Sequence, residues 1–367
     1  MLILFAGVCT AFSLHLLSMC SLKVPQPASF YAVANASIPK YVFLIDAAVS
    51  SMTFGVGLSY LIVIGGLMPD VAAYLGMGSF MQSREIWITI GFSIVSPMSF
   101  LKSMDSLKYT SAAAVVFVAF IALLILSYAS DPNGLAPCDD DGTGCVGNKT
   151  MAVIDVTSFK TLGIFIFAYT CQMNMFPVVN ELRNPTIARF DTVSNTSIVL
   201  ACSMYLLVAM CGYAVFGAGV EANVLISFPD TPVTTVARIC TSLLVSFSYP
   251  LLCVPGRTSM MSLWAMRDPE GTVLDKSMLK QRFYICTASF LLGSYTVAMI
   301  TDNLGVVLAL IGATGATIIT YILPGAAFYV LYPEGTAPEW KRKMAYGFVV
   351  FGIFIMPFCL AFIFVPA

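Results

Sequence analysis

Apolar residues run through the chain in long, nearly unbroken blocks, and polar residues gather in the short stretches between them. Ten blocks stand out, roughly residues 1–21, 43–68, 86–103, 109–130, 161–180, 192–217, 233–256, 283–300, 304–331 and 344–366. A bilayer-spanning helix needs about 20 mostly apolar residues. The pattern therefore predicts an all-α polytopic membrane protein, a single domain of about ten transmembrane helices. Gly and Pro interrupt several blocks, which membrane helices accept where neighbouring helices or cavity water satisfy the freed backbone groups. Two connections are long: 131–160, acidic and glycine-rich, and 257–282, basic and mixed.

Composition agrees. Of 367 residues, 59% are apolar and 10% charged, whereas a soluble domain carries roughly a quarter charged residues. A formal net charge of −1 gives no basic surface for a nucleic acid. The placement of charge sets the orientation. Lys23, Lys40, Lys102, Lys108, Arg183, Arg189, Arg257, Arg267, Lys276, Lys280, Arg282, Lys341, Arg342 and Lys343 fall on one side of the predicted spans, and Arg84, Lys149, Lys160 and Arg238 on the other. Fourteen against four makes the first side cytoplasmic, and loop 131–160 extracellular or luminal. In that loop Cys138 and Cys145 either pair as a disulfide or remain two free thiols, and Asn148-Lys149-Thr150 is a glycosylation acceptor. The sequons at Asn35 and Asn195 face the cytoplasm and stay bare. Ten spans place both termini outside, and no basic residue precedes Lys23; the expectation is that one further helix, entering from the cytoplasm, belongs before Met1.

Enzyme chemistry finds no support. The one histidine, His15, sits within an apolar run, so no nucleophile gains a positioned base. No glycine-rich loop ends in Gly-Lys-Ser or Gly-Lys-Thr, which points away from ATP as an energy source. No paired cysteine motif completes a metal site.

Several stretches resemble the amino acid/auxin permease family of transmembrane amino acid transporters. Phe54-Gly55-Val56-Gly57-Leu58-Ser59-Tyr60, closing at Met68-Pro69, looks like that family's third helix. Phe165-Ile166-Phe167-Ala168-Tyr169-Thr170-Cys171-Gln172 followed by Glu181-Leu182-Arg183-Asn184-Pro185 looks like its sixth helix and the turn after it. Ser248-Tyr249-Pro250-Leu251 with Pro255-Gly256-Arg257 resembles the end of the eighth, and Gly312-Ala313-Thr314-Gly315-Ala316-Thr317 leading to Leu323-Pro324 the tenth. Order and spacing match across nearly the whole chain. The resemblance implies a fold like that of the bacterial leucine transporter, with this chain spanning helices two to eleven and lacking helix one. Gly66 departs from the family, whose members often carry an acidic residue there.

In transporters of that architecture, substrate binds near the midplane where helices of two inverted repeats are broken. The sixth helix is the broken-helix candidate. Tyr169, Thr170, Gln172 and Asn174 cluster at mid-depth, where polar groups are costly unless partnered, and Pro177 follows. They either line a site for the polar head and side chain of an amino acid or hydrogen-bond neighbouring helices. Thr53 and Tyr60, with Gly57 between them, form a face of the third helix, where the Tyr60 hydroxyl could cap the same pocket. On the eighth helix Ser242, Ser246 and Tyr249 share a face, flanked by Thr241. These hydroxyls could hold sodium, or serve as small residues at a helix interface. His15 is either a proton-coupling group or a ring hydrogen-bonded near Ser13 and Ser18. Arg238, near the outer end of its helix, is expected to snorkel to the interface. Trp87 is expected to anchor there, and Trp264 and Trp340 to lie in cytoplasmic loops.

These features predict secondary active transport of an amino acid by alternating access, with no cofactor and with H+ or Na+ as coupling ion, in the plasma membrane or an endolysosomal or vacuolar membrane. No carboxylate lies deep in a span, since Asp46, Asp105 and Asp302 are near helix ends, which favours a neutral substrate. The alternative is a truncated remnant that does not transport, or an amino-acid-sensing membrane protein.

Overall fold

The computed structural model describes residues 1–100, 107–130, 161–268 and 275–363, excluding the side chains of 107–113 and 218. Loop 131–160, with Cys138, Cys145 and Asn148, lies outside the described residues. Among those described there is no strand. Helix α1 covers Leu2–Ser21, short α2 Phe30–Ser37, α3 Val42–Tyr74, α4 Arg84–Ser99 and α5 Leu107–Ser130. After them come α6 (Leu162–Ala168), α7 (Met175–Glu181), α8 (Ile187–Phe216), α9 (Pro232–Ala265), α10 (Lys276–Ile300), α11 (Leu304–Ile311), α12 (Leu323–Leu331) and α13 (Glu339–Ile363). Among the described residues, eight helical segments, counting α6–α7 and α11–α12 as one each, are long and apolar enough to cross a membrane. The expected spans 86–103 and 109–130 carry α4 and α5, of 16 and 24 residues.

Local chemistry sets the starts of these helices. Thr186 accepts from the Arg189 amide to cap α8, and Asn303 accepts from Val306 to cap α11. Thr231 caps α9, with Pro232 at the first helical position, where a missing amide has no helical partner in any case.

Packing divides the helices into two main groups. Helices α3, α4, α9 and α10 touch in every pairing, around Leu58, Leu61, Ile88, Val95, Tyr249 and Phe290. Helix α1 lies on α8 and α12, with α6 and α7 also against it; Leu16, Leu17, Tyr169, Phe176, Tyr321 and Phe328 belong to this core. Apolar side chains gain nothing by leaving lipid for a protein interior of the same polarity, so close backbone approach carries membrane packing. Gly163 and Gly312 show it most directly: a Cβ on Gly312 would overlap the Gly163 carbonyl.

The segment 257–282 differs from its expectation as a loop. Helix α9 continues to Ala265, and α10 begins at Lys276. The reason is that Arg257 is satisfied inside the packing: buried, it donates to the Ser99 carbonyl at 3.0 Å and the Thr287 hydroxyl at 3.3 Å, and lies 3.9 Å from the Phe283 ring centroid. Trp264 stands in the last turn of α9, 5.1 Å from the Arg282 guanidinium, and Trp340 in the first turn of α13.

Arg282 also makes a two-pronged contact with Asp268, both bonds 2.7 Å long. That contact holds the Asp268 carboxyl below the usual carboxylate range. A depressed carboxylate contributes stability above its unfolded pKa, about 3.9, and loses it as pH falls through the lower folded value. The stability difference between the native protein and Asp268→Asn is therefore expected to be constant from about pH 5 to 8 and to close on further acidification. Thermal unfolding across that range checks it.

Candidate functional site

The helix predicted over 161–180 is interrupted near its middle. Helix α6 stops at Ala168, a single 3₁₀ turn covers Gln172–Asn174, and α7 resumes at Met175. Pro177 contributes to the break. It has no amide to give the carbonyl four residues back, that of Met173, a loss that α3 at Pro69 and α9 at Pro250 and Pro255 absorb without interruption. Within α7 it falls in the first turn, where amides lack helical partners anyway.

In the break Thr170 donates back to the Ile166 carbonyl at 2.9 Å, while Gln172 bonds away from its own helix. Gln172 is fully buried. Its amide nitrogen lies 3.4 Å from the Ser13 hydroxyl on α1, and its carbonyl oxygen accepts from Thr320 at 3.3 Å. Ser13 donates to the Thr320 carbonyl at 2.6 Å, and the Thr170 and Thr320 hydroxyls are 3.4 Å apart. Thr320 belongs to a stretch joining α11 to α12, where two π-helical segments, Gly312–Ala316 and Ile318–Ile322, flank Thr317. Such segments are rare and frequently mark functional positions. Three elements thus converge: α1, the α6–α7 break and the π-helical stretch.

Tyr169 extends this cluster. Its ring meets Tyr205 edge-on at 5.1 Å, and a Cβ on Gly7 of α1 would touch that ring at 3.4 Å. Its hydroxyl is buried without a well-formed hydrogen bond, the Cys202 thiol being its polar neighbour. Thr10 on α1 is also buried with an unpartnered hydroxyl. Gly7, Thr10 and Ser13 recur at three-residue spacing and so share one side of α1. Asn174, in contrast, is exposed and stands apart from Gln172.

The other predicted residues lie in the seam between α3 and α9. Thr53 is fully buried, bonds the Val49 carbonyl on its own helix, and would stand 2.5 Å from a Cβ on Gly256. Tyr60 is half-buried between the two cores. Thr241 and Ser246 donate to carbonyls of α9 itself, Ala237 at 2.9 Å and Ser242 at 2.7 Å. Only Ser242 of this set has a buried hydroxyl without a partner. Tyr249 bonds Ser294 on α10. The structure brings together Tyr169, Thr170 and Gln172 around Ser13 and Thr320, while Thr53 and Tyr60 stand on α3 and Thr241, Ser242 and Ser246 on α9.

Two charged groups differ from their simplest expectation. Arg238 is 1% exposed and does not snorkel. It donates to the Leu225 carbonyl at 3.2 Å, the Phe228 carbonyl at 2.9 Å and the Asp230 carboxylate, with Asp70 of α3 at 3.6 Å. A guanidinium with this many aligned acceptors has no need of the bilayer surface. His15 bonds neither neighbouring serine side chain: its Nδ1 lies 2.9 and 3.0 Å from the two Asp191 oxygens, and its Nε2 is 2.8 Å from Lys341.

Ser13, Thr10 and Thr320 are the groups that sequence pattern did not assign to the site. The signal for the first two was a small-and-hydroxyl stripe within the first apolar block; Thr320 was one hydroxyl in an apolar run, unremarkable without its partner.

Comparison with known proteins gives a concordant result over the full length. A family model described as transmembrane amino acid transporter protein matches residues 1–365. Vacuolar amino acid transporter 5 of Schizosaccharomyces pombe is 30% identical, over 98% of this chain and 85% of its own. Vacuolar amino acid transporter 6 of Saccharomyces cerevisiae is 31% identical, over 98% and 90%. Sodium-coupled neutral amino acid transporter 7 of Bos taurus is 26% identical, over 85% and 69%.

Proposed function

From its place in the transmembrane amino acid transporter family, to which this chain belongs, we propose that the protein is a secondary active transporter that moves a neutral amino acid across a vacuolar or endolysosomal membrane by alternating access, driven by an H+ or Na+ gradient. Membership of a transporter family sets the chain apart from enzymes. The observation that carries the substrate site is the buried Gln172 amide, set in a broken helix and shared between Ser13 and Thr320. An unwound backbone offers amides to a carboxylate and carbonyls to an ammonium, the two ends of an amino acid. The unpartnered Tyr169 and Thr10 hydroxyls supply further polar groups beside it. The names of the relatives, vacuolar and neutral, support the membrane and the substrate class.

The finer reading takes the ten segments as helices two to eleven of an inverted-repeat fold. It is supported by the joint packing of α3 and α4 with α9 and α10, and by the near-equal lengths of α3 and α9, 33 and 34 residues. A cation site on α9 would draw on Ser242, whose hydroxyl is free, with Thr241 and Ser246 beside it.

Uptake of radiolabelled neutral amino acids into proteoliposomes, with an imposed H+ or Na+ gradient, tests the proposal. Saturable, gradient-dependent uptake is expected; none with any amino acid, from correctly inserted protein, would sink it. Stabilisation by an amino acid without flux would mark a sensor instead. Gln172→Leu leaves the Ser13 and Thr320 hydroxyls short of a buried partner, a cost of about 1–3 kcal/mol. Its uptake is expected to fall about tenfold or more while the protein remains inserted.

A further inference from the structure

His15, Asp191 and Lys341 come from α1, α8 and α13 and meet in a row, although 176 and 326 residues separate the histidine from its partners. His15 lies six residues before the end of α1, roughly 9 Å along the axis, on the side that carries the Lys and Arg excess. The side chains of His15 and Asp191 are 21% and 26% exposed, so neither is sealed inside the protein.

Donor and acceptor roles in the row follow from elementary chemistry. An ammonium has donors only, so the Nε2 facing Lys341 is the acceptor. The ring proton of neutral His15 is then on Nδ1, where it is donated to Asp191. One cation and one anion flank an uncharged ring. A second proton, on Nε2, would aim an N–H at the ammonium, donor against donor and cation against cation. The imidazolium keeps Asp191, and Lys341 must leave, still carrying its own proton.

No other charged group takes over that role. On α13, Lys343 pairs with Glu339, and Arg342 donates to the Tyr332 carbonyl. On α8, Arg189 donates to the Arg183 carbonyl. Helices α6 and α12 contain no Asp, Glu, Lys or Arg, and the Glu181 of α7 is exposed. The Tyr332 hydroxyl donates to the Met19 carbonyl, with Lys23 over its ring.

We propose that this junction is the proton-exchange latch of the transporter: a proton taken from water onto Nε2 of His15 releases Lys341, and with it the start of α13, from α1, and return of the proton to water closes the contact. The inference rests on the transport reading above and deepens it by naming the group that carries the proton. Helix α1 joins the latch to the central cluster. Ser13 and His15 are two residues apart, about 200° around the helix, so one face of α1 meets Gln172 and Thr320 while the other meets Asp191 and Lys341.

Because the chain has a single histidine, the test needs no assignment. Protein labelled at histidine with 15N and purified without a polyhistidine tag, in lipid nanodiscs, is expected to show a neutral ring protonated at Nδ1. Lys341→Met and Asp191→Asn, which remove neighbours of opposite charge, are each expected to move the titration of the ring, in opposite senses. Release of Lys341 is read separately. In a Trp87→Phe, Trp264→Phe background, emission from Trp340, whose ring centroid is 5.5 Å from the Lys341 ammonium, should change at the same midpoint and not in His15→Gln. A neutral ring protonated at Nε2, a midpoint that Lys341→Met leaves in place, or Trp340 emission indifferent to His15 would each overturn the latch. Should Asp191→Asn fail to assemble, Lys341→Met decides alone. These readouts do not depend on uptake, so absent transport with an intact titration would count against the transport reading and not the latch.

Discussion

Replacing Arg238 by alanine is expected to destabilise the protein by several kcal/mol, because two backbone carbonyls each lose a charged donor worth about 1.5–3 kcal/mol, while the Asp70 and Asp230 carboxylates, 38% and 55% exposed, stay solvated. The substitution removes the guanidinium from four acceptors at once: the Leu225 and Phe228 carbonyls, Asp230, and Asp70 near the end of α3. These are the contacts by which α9 holds the turn at Val224–Ser227 and the C-terminal end of α3. Arg238→Lys keeps the charge but replaces a planar fork by a point donor, and is expected to fall between the two. The check is the temperature at which detergent-solubilised protein loses its monodisperse peak. An alanine variant as stable as the native protein would show that water replaces the guanidinium at no cost.

The second large effect is expected at Gly312. Overpacking a core costs typically about 1–3 kcal/mol when side chains can shift. Here an alanine methyl would overlap the Gly163 carbonyl, and a backbone held in two helices has little room to yield. Gly312→Ala is therefore expected to part α6 from the π-helical stretch and abolish both stable folding and uptake. Gly163→Ala should behave alike, since its Cβ would meet the Ala309 carbonyl at 2.5 Å and the Ala313 amide nitrogen at 3.2 Å. Gly347→Ala on α13 is the control: nothing lies within 4 Å of its added carbon. With a gain in helix propensity of about 1 kcal/mol, it should be neutral or slightly stabilising in the same heating assay.

What the chain revealed before its structure was known divides along a physical line. Apolar blocks are a local property, so the positions of most helices could be read directly. Pro177 and the polar run before it are local too, and mark the place where α6 gives way to α7. Partners are not local. Gln172 is 159 residues from Ser13 and 148 from Thr320, and no periodicity says that they meet. The same holds for His15, whose neighbouring serines were the visible candidates while its real partners came from other helices. Charge misled in one respect. Arg257 looked like the start of a loop because a cation at a helix end is usually solvated; a carbonyl, a hydroxyl and an aromatic face let it stay inside. Cys138, Cys145 and Asn148 lie outside the described residues.

Arginines that turn inward alter how the molecule presents itself to a bilayer. Of the four basic residues assigned to the outer side, Arg238 is buried in acceptors, and Arg84 donates to the carbonyls of Ala298 and Thr301 at the end of α10. Neither guanidinium is free to attract a lipid headgroup. On the opposite side, Lys343 is exposed, with Glu339 3.6 Å away, and surface cations draw anionic phospholipid at about 1 kcal/mol each. Guanidiniums of the larger group turn inward as well, Arg257 and Arg282 among them, so what a bilayer meets is set by the fewer cations left open and not by the count of fourteen against four.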